Sequence, residues 1–296
     1  MKIACFDDHR VGLVEGERLY DVTAALPPAL DALPQQRINW LIAHWAEARP
    51  AVERVRAQAA EGRALDGVRW QAANPAPPHV FAAPANYRKH IGELGARVVT
   101  KKGRTAREQG FFLKAPGSVV GHGGTLELPH GSTRRFDHES ELAVIIGRGG
   151  RDIPRERALS HVFGYACLID ATMRIEAEQF EEERSMRKSF AGFTPLGPWI
   201  VSADEVGDPQ ALDNRLWVNG ELKQQANTRE MIVGVAELIE LVSSVLPLQP
   251  GDVIASGTPE GVGPFGPGDR LRIAIERVGE MTLQVRERDA VSPRAY

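Results

Sequence analysis

Apolar and polar positions alternate at the start of the chain, where KIACF, VGLVEG and RLYDVT read as short strands around a turn at Glu15 and Gly16. The spacing then changes. In INWLIAHWAEA apolar residues recur three and four apart, which predicts a helix stopping before Pro50, and AVERVRAQAAEG predicts a second. The stretch QAANPAPPHVFAAPAN carries Pro75, Pro77, Pro78 and Pro84, which deny helix and donate no ladder hydrogen bond, so it reads as a stiff connector. A boundary near residue 75 therefore separates a small N-terminal α+β domain, 1–75, from a second domain, 76–296.

Beyond the connector, NYRKHIGELG predicts a short helix ended by Gly95, and RVVTKKGRTAREQG has no apolar period and reads as a mobile loop. Strand patterns follow in FFLKA, RRFDHESELAVIIG, HVFGYACLID, PWIVS, the hairpin RLWVNGELKQ, GDVIASG, and the pair LRIAI and MTLQV. One helix, near IVGVAELIELVSSV, interrupts them. Strands and helices do not alternate regularly, so a rolled or sandwiched mixed sheet is expected over a doubly wound parallel one. The class is β-rich α+β, and 29 glycines and 20 prolines agree with many turns.

At 296 residues the chain fits about two domains on a prior of roughly 150 each. Lys and Arg number 36 against 39 Asp and Glu, too balanced to build a nucleic-acid surface. Cys5 and Cys167 lie far apart, so neither a disulfide framework nor a thiolate zinc site is expected, and a reducing cytosol fits. The longest aliphatic run, LAVII at 142–146, is far shorter than a membrane span. A cytoplasmic protein with neither nucleic-acid nor membrane partners is the expectation.

The chemistry is densest in FDHESELAVIIG. Strand side chains two apart share a face, so Glu139 and Glu141 point the same way at the mouth of an apolar strand. Asp170 ends a second apolar run, HVFGYACLID. Buried like charges repel and are costly to desolvate unless a cation compensates. A divalent metal is the simplest compensation, and hard oxygen ligands without cysteine select Mg²⁺, Mn²⁺ or Ca²⁺ over zinc. The competing reading is a set of surface salt bridges to Arg134 and Arg135. His90 and Glu93, three apart on the predicted helix, form either a base with its orienting acid or a solvent-facing pair.

From NYRKHIGE through FDHESELAVIIG, GYACLIDATMR, RKSFAGFTPLGPWIV, VNGELKQQANTREMI and LQPGDVIASGTPEGVG, over roughly residues 84 to 288, the sequence resembles the fumarylacetoacetate hydrolase family. The resemblance implies a mixed β-sandwich roll, usually a homodimer, in which Glu139, Glu141 and Asp170 hold Mg²⁺ or Mn²⁺. It implies that His90 and Glu93 activate water, and that Lys188 stabilises a developing oxyanion. Arg174 then meets a substrate carboxylate or polar tail, Gly257 and Thr258 offer donors from a glycine-rich turn, and Tyr87 lines the pocket. Each has a plainer alternative: Lys188 as a snorkelling surface lysine, Arg174 paired with the acidic run Glu181 to Glu183, the Thr258 turn as an ordinary connection, Tyr87 as packing. The loop 96–110 becomes a lid hinge or rim. Ile175, Ala177 and Ala191 depart from the family's usual Asp, Gln and Asp. His122, His130 and His138 are expected to be surface or hydrogen-bonded histidines.

The activity implied is metal-dependent hydrolysis of a carbon-carbon bond in a small β-diketo acid such as an acylpyruvate or fumarylacetoacetate-like compound. Isomerisation of a dienol diacid, decarboxylation of a 2-oxo diacid in aromatic catabolism, and binding of a metal and an oxo acid without turnover are the alternatives.

Overall fold

A computed structural model describes residues 1–94, 104–175 and 183–289. An eleven-stranded mixed sheet runs through its centre. The strands are β1 (Lys2–Phe6), β2 (Arg10–Glu15), β3 (Arg18–Asp21), β4 (Arg63–Ala64), β5 (Val80–Ala82), β6 (Phe112–Lys114), β7 (Val119–Val120), β10 (Ser140–Ile146), β11 (Val162–Ile169), β13 (Thr194–Ser202) and β16 (Val253–Ala255). Their order is β4-β3-β2-β1-β13-β11-β10-β16-β5-β6, with β7 added in parallel to β13. A five-stranded sheet orders β15 (Glu221–Asn227), β14 (Asp213–Val218), β18 (Arg270–Ile275), β19 (Gly279–Glu287) and β8 (Thr125–Leu128). A small third sheet joins β12 (Thr172–Met173), β9 (Phe136–His138) and β17 (Gly263–Phe265).

Both faces of the large sheet are covered, which explains why SELAVII is apolar without alternation. Leu142, Val144 and Ile146 share a core with Leu216 and Ile273 of the five-stranded sheet. Ala143 and Ile145 point the other way, into a core with Ile38, Leu41, Ile42 and Val52. Those four belong to α1 (Arg37–Ala43) and α2 (Trp45–Gln58).

The three N-terminal strands form as expected but do not close a sheet of their own. β1 pairs antiparallel with β13, Lys2 opposite Val201 and Ile3 opposite Ile200, so the large sheet runs across residue 75. The helices differ from the pattern in one respect. The break falls at His44, whose ring stacks on Trp40, and Pro50 lies inside α2, where the missing donor removes one hydrogen bond near the helix start. The proline-rich connector is corrected too: it contains β5, fully buried and parallel to β16, because Val80, Phe81 and Ala82 between the prolines keep their N–H groups.

Helix α3 (Arg88–Leu94) matches the expected short helix; its end at Gly95 and the loop residues 96–103 lie outside the described residues. The remainder of that loop contains α4 (Ala106–Gln109), opened by a capping box of Thr105 and Glu108. Three further single-turn helices are α5 (Arg155–Ala158), α6 (Arg184–Arg187) and α7 (Ala203–Val206). In α8 (Val235–Val245), buried Val235, Leu238, Ile239 and Val242 repeat the helical spacing of the sequence. Among the described residues no helix is long and apolar enough to cross a membrane.

Candidate active site

The two glutamates straddle the junction of two sheets. Glu139 occupies the single residue between β9 and β10, while Glu141 is the second residue of β10. Their neighbour β11 brings Asp170 alongside: Ser140 registers with Ile169, and the Asp170 amide donates to the Glu139 carbonyl at 2.8 Å. Ligand oxygens of Glu139, Glu141 and Asp170 all lie within 4.8 Å of one another, and all three residues are buried. Between the glutamates Ser140 turns the other way. Its N–H donates to Gln224 Oε1 at 3.0 Å, its hydroxyl donates to Asn214 Oδ1, and Asn214 Nδ2 donates to its carbonyl at 3.3 Å. Strand alternation and this anchorage from β14 and β15 keep both acids on one side.

Salt bridges at the surface are not what these acids form. Glu139 is 5% exposed and Glu141 2%, and Arg135 donates to Asp137 at 2.7 Å instead of to either glutamate. The cations at the site are internal. Lys188 Nζ donates to Glu139 Oε2 at 2.8 Å, Asp170 Oδ2 at 2.6 Å and Thr172 Oγ1 at 2.7 Å, so the snorkelling alternative falls. Arg174 bridges Asp137 Oδ2 and Glu139 Oε1, both at 2.6 Å. The carboxylates it meets are thus internal ones, not Glu183; Glu181 and Glu182 lie outside the described residues.

Charge is unevenly compensated across the triad. Burial alone would raise the Glu139 carboxyl, yet the adjacent Lys188 ammonium and Arg174 guanidinium hold it well below the usual carboxylate range. Glu141 goes the opposite way. Burial, then the charges of Asp170 and Glu139, push it well above the ordinary value. Its Oε2 accepts one N–H, from Gly257 at 2.6 Å. Gly257 sits at φ +90, and a Cβ there would fall 2.6 Å from Asn86 Cβ, so only glycine brings this amide to the carboxylate.

The remaining expected residues surround the acids. His90 on α3 is buried, and burial lowers its pKa, keeping the imidazole neutral. Its Nδ1 stands 3.7 Å from Glu93 Oε2, longer than a hydrogen bond. Glu93 instead accepts the Gly261 N–H on both oxygens, at 2.8 and 2.9 Å, while Lys89 reaches Glu230 at 2.9 Å and Glu260 at 3.2 Å. These contacts fasten α3 to the GTPEG turn and, through Glu230, to the segment that follows β15. In that turn Thr258 Oγ1 accepts from Gln224 Nε2 at 2.8 Å, which leaves the hydroxyl hydrogen to donate. Tyr87 is 1% exposed, and burial, then the Glu141 charge, raise its phenol. Of the departures, Ile175 is half-buried beside Arg174, Ala191 is exposed, and Ala177 lies outside the described residues. His138 is fully buried and meets Gln224 Oε1 at 3.1 Å.

Sequence reasoning missed Lys114, Gln224, Asn214 and Asp137. Lys114 is fully buried at the end of β6 and donates to Asp170 Oδ1 at 2.5 Å and to the Phe193 carbonyl at 3.0 Å. The cue was present: FFLK ends an apolar run on a charge, as LID does at Asp170. Gln224 shares the buried face of β15 with Ala226, a polar residue where alternation calls for an apolar one. Asn214 gives the same cue on β14, where it shares the buried face with Leu216 and Val218; Asp137 carries no comparable signal.

The donor set suits a hard divalent ion: three carboxylates converge, all offering oxygen, and Glu141 stands where negative charge is least offset. A profile described as fumarylacetoacetate (FAA) hydrolase C-terminal matches residues 79–286. The chain is 43% identical over 298 residues to maleylpyruvate hydrolase of Aquipseudomonas alcaligenes, covering 97% of this chain and 99% of that one. A crystal structure of maleylpyruvate hydrolase from Sphingobium sp. SYK-6 in complex with manganese(II) ion and pyruvate is similar at TM-score 0.83 and 39% identity, over 97% of this chain and 99% of that one. The 2-hydroxyhepta-2,4-diene-1,7-dioate isomerase of Mycobacterium marinum is more distant, with TM-score 0.65 and 31% identity over 78% of this chain and 82% of its own. Profile, full-length likeness and conserved architecture converge on one conclusion: the chain belongs to the fumarylacetoacetate hydrolase family.

Proposed function

We propose that this protein is a divalent-metal-dependent hydrolase that cleaves a carbon-carbon bond in an acylpyruvate, with maleylpyruvate the first substrate to try. The observation that carries the reading is the buried, convergent triad of Glu139, Glu141 and Asp170 beneath the helix that bears His90. Manganese and pyruvate in the relative from Sphingobium support both the ion and the 2-oxo acid. Mg²⁺ remains the other candidate in the cell, with Ca²⁺ a third.

Bound to the three acids, the ion supplies Lewis acidity at the 2-oxo acid. The chain's own residues do the rest. Neutral His90 takes a proton from water as the oxygen adds to the carbonyl distal to the 2-oxo acid; Glu93, close by, favours the imidazolium that results. Lys188 keeps an ammonium among the acids, near the charge that grows on oxygen. The bond between that carbonyl carbon and the adjacent methylene then breaks. Its electron pair leaves as the enolate of pyruvate, which His90 reprotonates, and the acyl carbon departs as a carboxylic acid.

A screen of oxo acids with and without chelator, read by mass, tests this. Pyruvate with a new acid supports hydrolysis, carbon dioxide indicates decarboxylation, and unchanged mass indicates isomerisation. Binding without conversion points to a non-catalytic protein. His90→Ala is expected to lower turnover about 10²- to 10⁴-fold; full turnover in that variant sinks the assigned base.

The proposal extends to a cytoplasmic homodimer and to the division at residue 75. Two buried free cysteines fit a reducing compartment. Leu113 on edge strand β6 and Met186 are exposed apolar residues available to a second copy, and light scattering checks the dimer. The family match begins at residue 79, which supports 76–296 as the catalytic unit and 1–75 as an addition built onto its sheet.

A further inference from the structure

The cations bonded to the acid triad are all committed. Lys114 and Lys188 hold Asp170, Lys188 also holds Glu139, and Arg174 bridges Asp137 and Glu139. An acylpyruvate whose acyl group ends in a second carboxylate brings one more negative charge into this space, and none of these three is free to receive it.

Arg184, the first residue of α6, is differently placed. It is half-buried, its guanidinium carbon stands 5.3 Å from the centre of the Phe112 ring, and among the described residues it makes no ion pair. Lys188 Nζ lies 5.2 Å from the centre of the same ring. One aromatic ring therefore gathers near it a guanidinium without an ion pair among the described residues and an ammonium bonded to two of the three acids. Five carbon-carbon bonds, from the keto carbon of a 2-oxo acid to a terminal carboxylate, span about 6 Å, a reach within the sum of the 5.3 and 5.2 Å ring distances, which is the most that can separate the two cations. A guanidinium resting on a ring is weakly hydrated and presents a planar fork, the geometry that takes a carboxylate through two hydrogen bonds.

We propose that Arg184, seated on Phe112, receives the distal carboxylate of a dicarboxylic acylpyruvate and so selects diacids over substrates with neutral tails. The inference rests on the hydrolase reading above. If Arg184 merely covers Phe112, diacid and neutral substrates respond alike to its loss.

The test compares maleylpyruvate with acetylpyruvate in the manganese-loaded wild type, Arg184→Met and Arg184→Lys. The expected result is that the ratio of kcat/KM values, maleylpyruvate over acetylpyruvate, falls about 10- to 100-fold in Arg184→Met, chiefly through KM, with a smaller fall in Arg184→Lys. A second readout needs no turnover: maleate raises the Tm of the manganese-loaded wild type, and that rise shrinks in Arg184→Met. An unchanged ratio, whether both substrates fall together or neither does, overturns the assignment. If the wild type hydrolyses neither compound, the hydrolase reading fails, and the maleate shift alone then decides for or against Arg184.

Discussion

At the scale of single residues, the site is a contest between burial and charge. Glu139 is held ionised by two cations, whereas Glu141 has no side-chain cation bonded to it among the described residues. Lys114 tunes this balance from beneath. Replacing it with Met leaves the Asp170 charge buried with Lys188 as its remaining ammonium, and the cost expected without added ion is about 3–5 kcal/mol. Manganese then restores positive charge at the same oxygens. Thermal melts of Lys114→Met should therefore show a larger manganese-induced rise than wild type; an equal rise removes Lys114 from the electrostatics of the site. His122 is a second case, away from the acids. Its Nδ1 accepts the Thr282 N–H at 3.1 Å, and burial lowers its pKa from 6.5. Below that ordinary value the unfolded chain takes up a proton that the folded chain refuses, so the His122 contribution is present above pH 6.5 and lost as pH falls through the lowered value. Denaturant midpoints between pH 7 and about 5 should fall less steeply in His122→Gln than in wild type.

At the scale of elements, the pattern of the sequence was readable wherever one surface decided it. Alternation gave β14, β15, β18 and β19, and helical spacing gave α8, because each buries a single face. At Pro50 and at β5 the structure departs from the pattern for a shared reason: a proline removes one donor, and neighbouring residues decide whether that donor is needed. Helix α3 has a bearing on function at this scale. Glu93 grips the Gly261 amide, and Gly261 itself lies at φ +85 with a Cβ position 2.0 Å from the Lys223 carbonyl, so the turn cannot easily shift to follow the helix. Releasing the grip with Glu93→Ala is expected to speed hydrogen exchange in α3 while manganese affinity stays put. Unaltered exchange would mean that Lys89 and packing alone hold the helix down.

Across the whole molecule, the N-terminal residues complete the large sheet. β1 covers the edge of β13, and the α1 and α2 side chains Ile38, Leu41, Ile42 and Val52 cover the face of β10 opposite the five-stranded sheet. Removing residues 1–75 bares both an unpaired strand edge and an apolar face, the combination that drives aggregation. A fragment starting at residue 76 should accordingly lose most of its soluble yield, as measured by the supernatant fraction and gel filtration; a monodisperse, manganese-binding fragment would show the first unit to be dispensable for folding.

The sequence by itself determined which acids need a partner. Glu139, Glu141 and Asp170 sit at the ends of apolar runs, and a charge in that position needs a compensating partner wherever the strands lie. It also carried the β-rich class, since periodicity is local and each strand or helix writes it directly into neighbouring residues. Tertiary structure alone decided the partners: that Lys114 from β6 and Lys188 beside α6 both reach Asp170, that Arg174 turns to Glu139, that Gln224 of a different sheet fixes the residue between the two glutamates. These contacts join residues 18 to 84 positions apart, and a distance of that kind is set by how sheets pack, for which no local pattern of side chains exists.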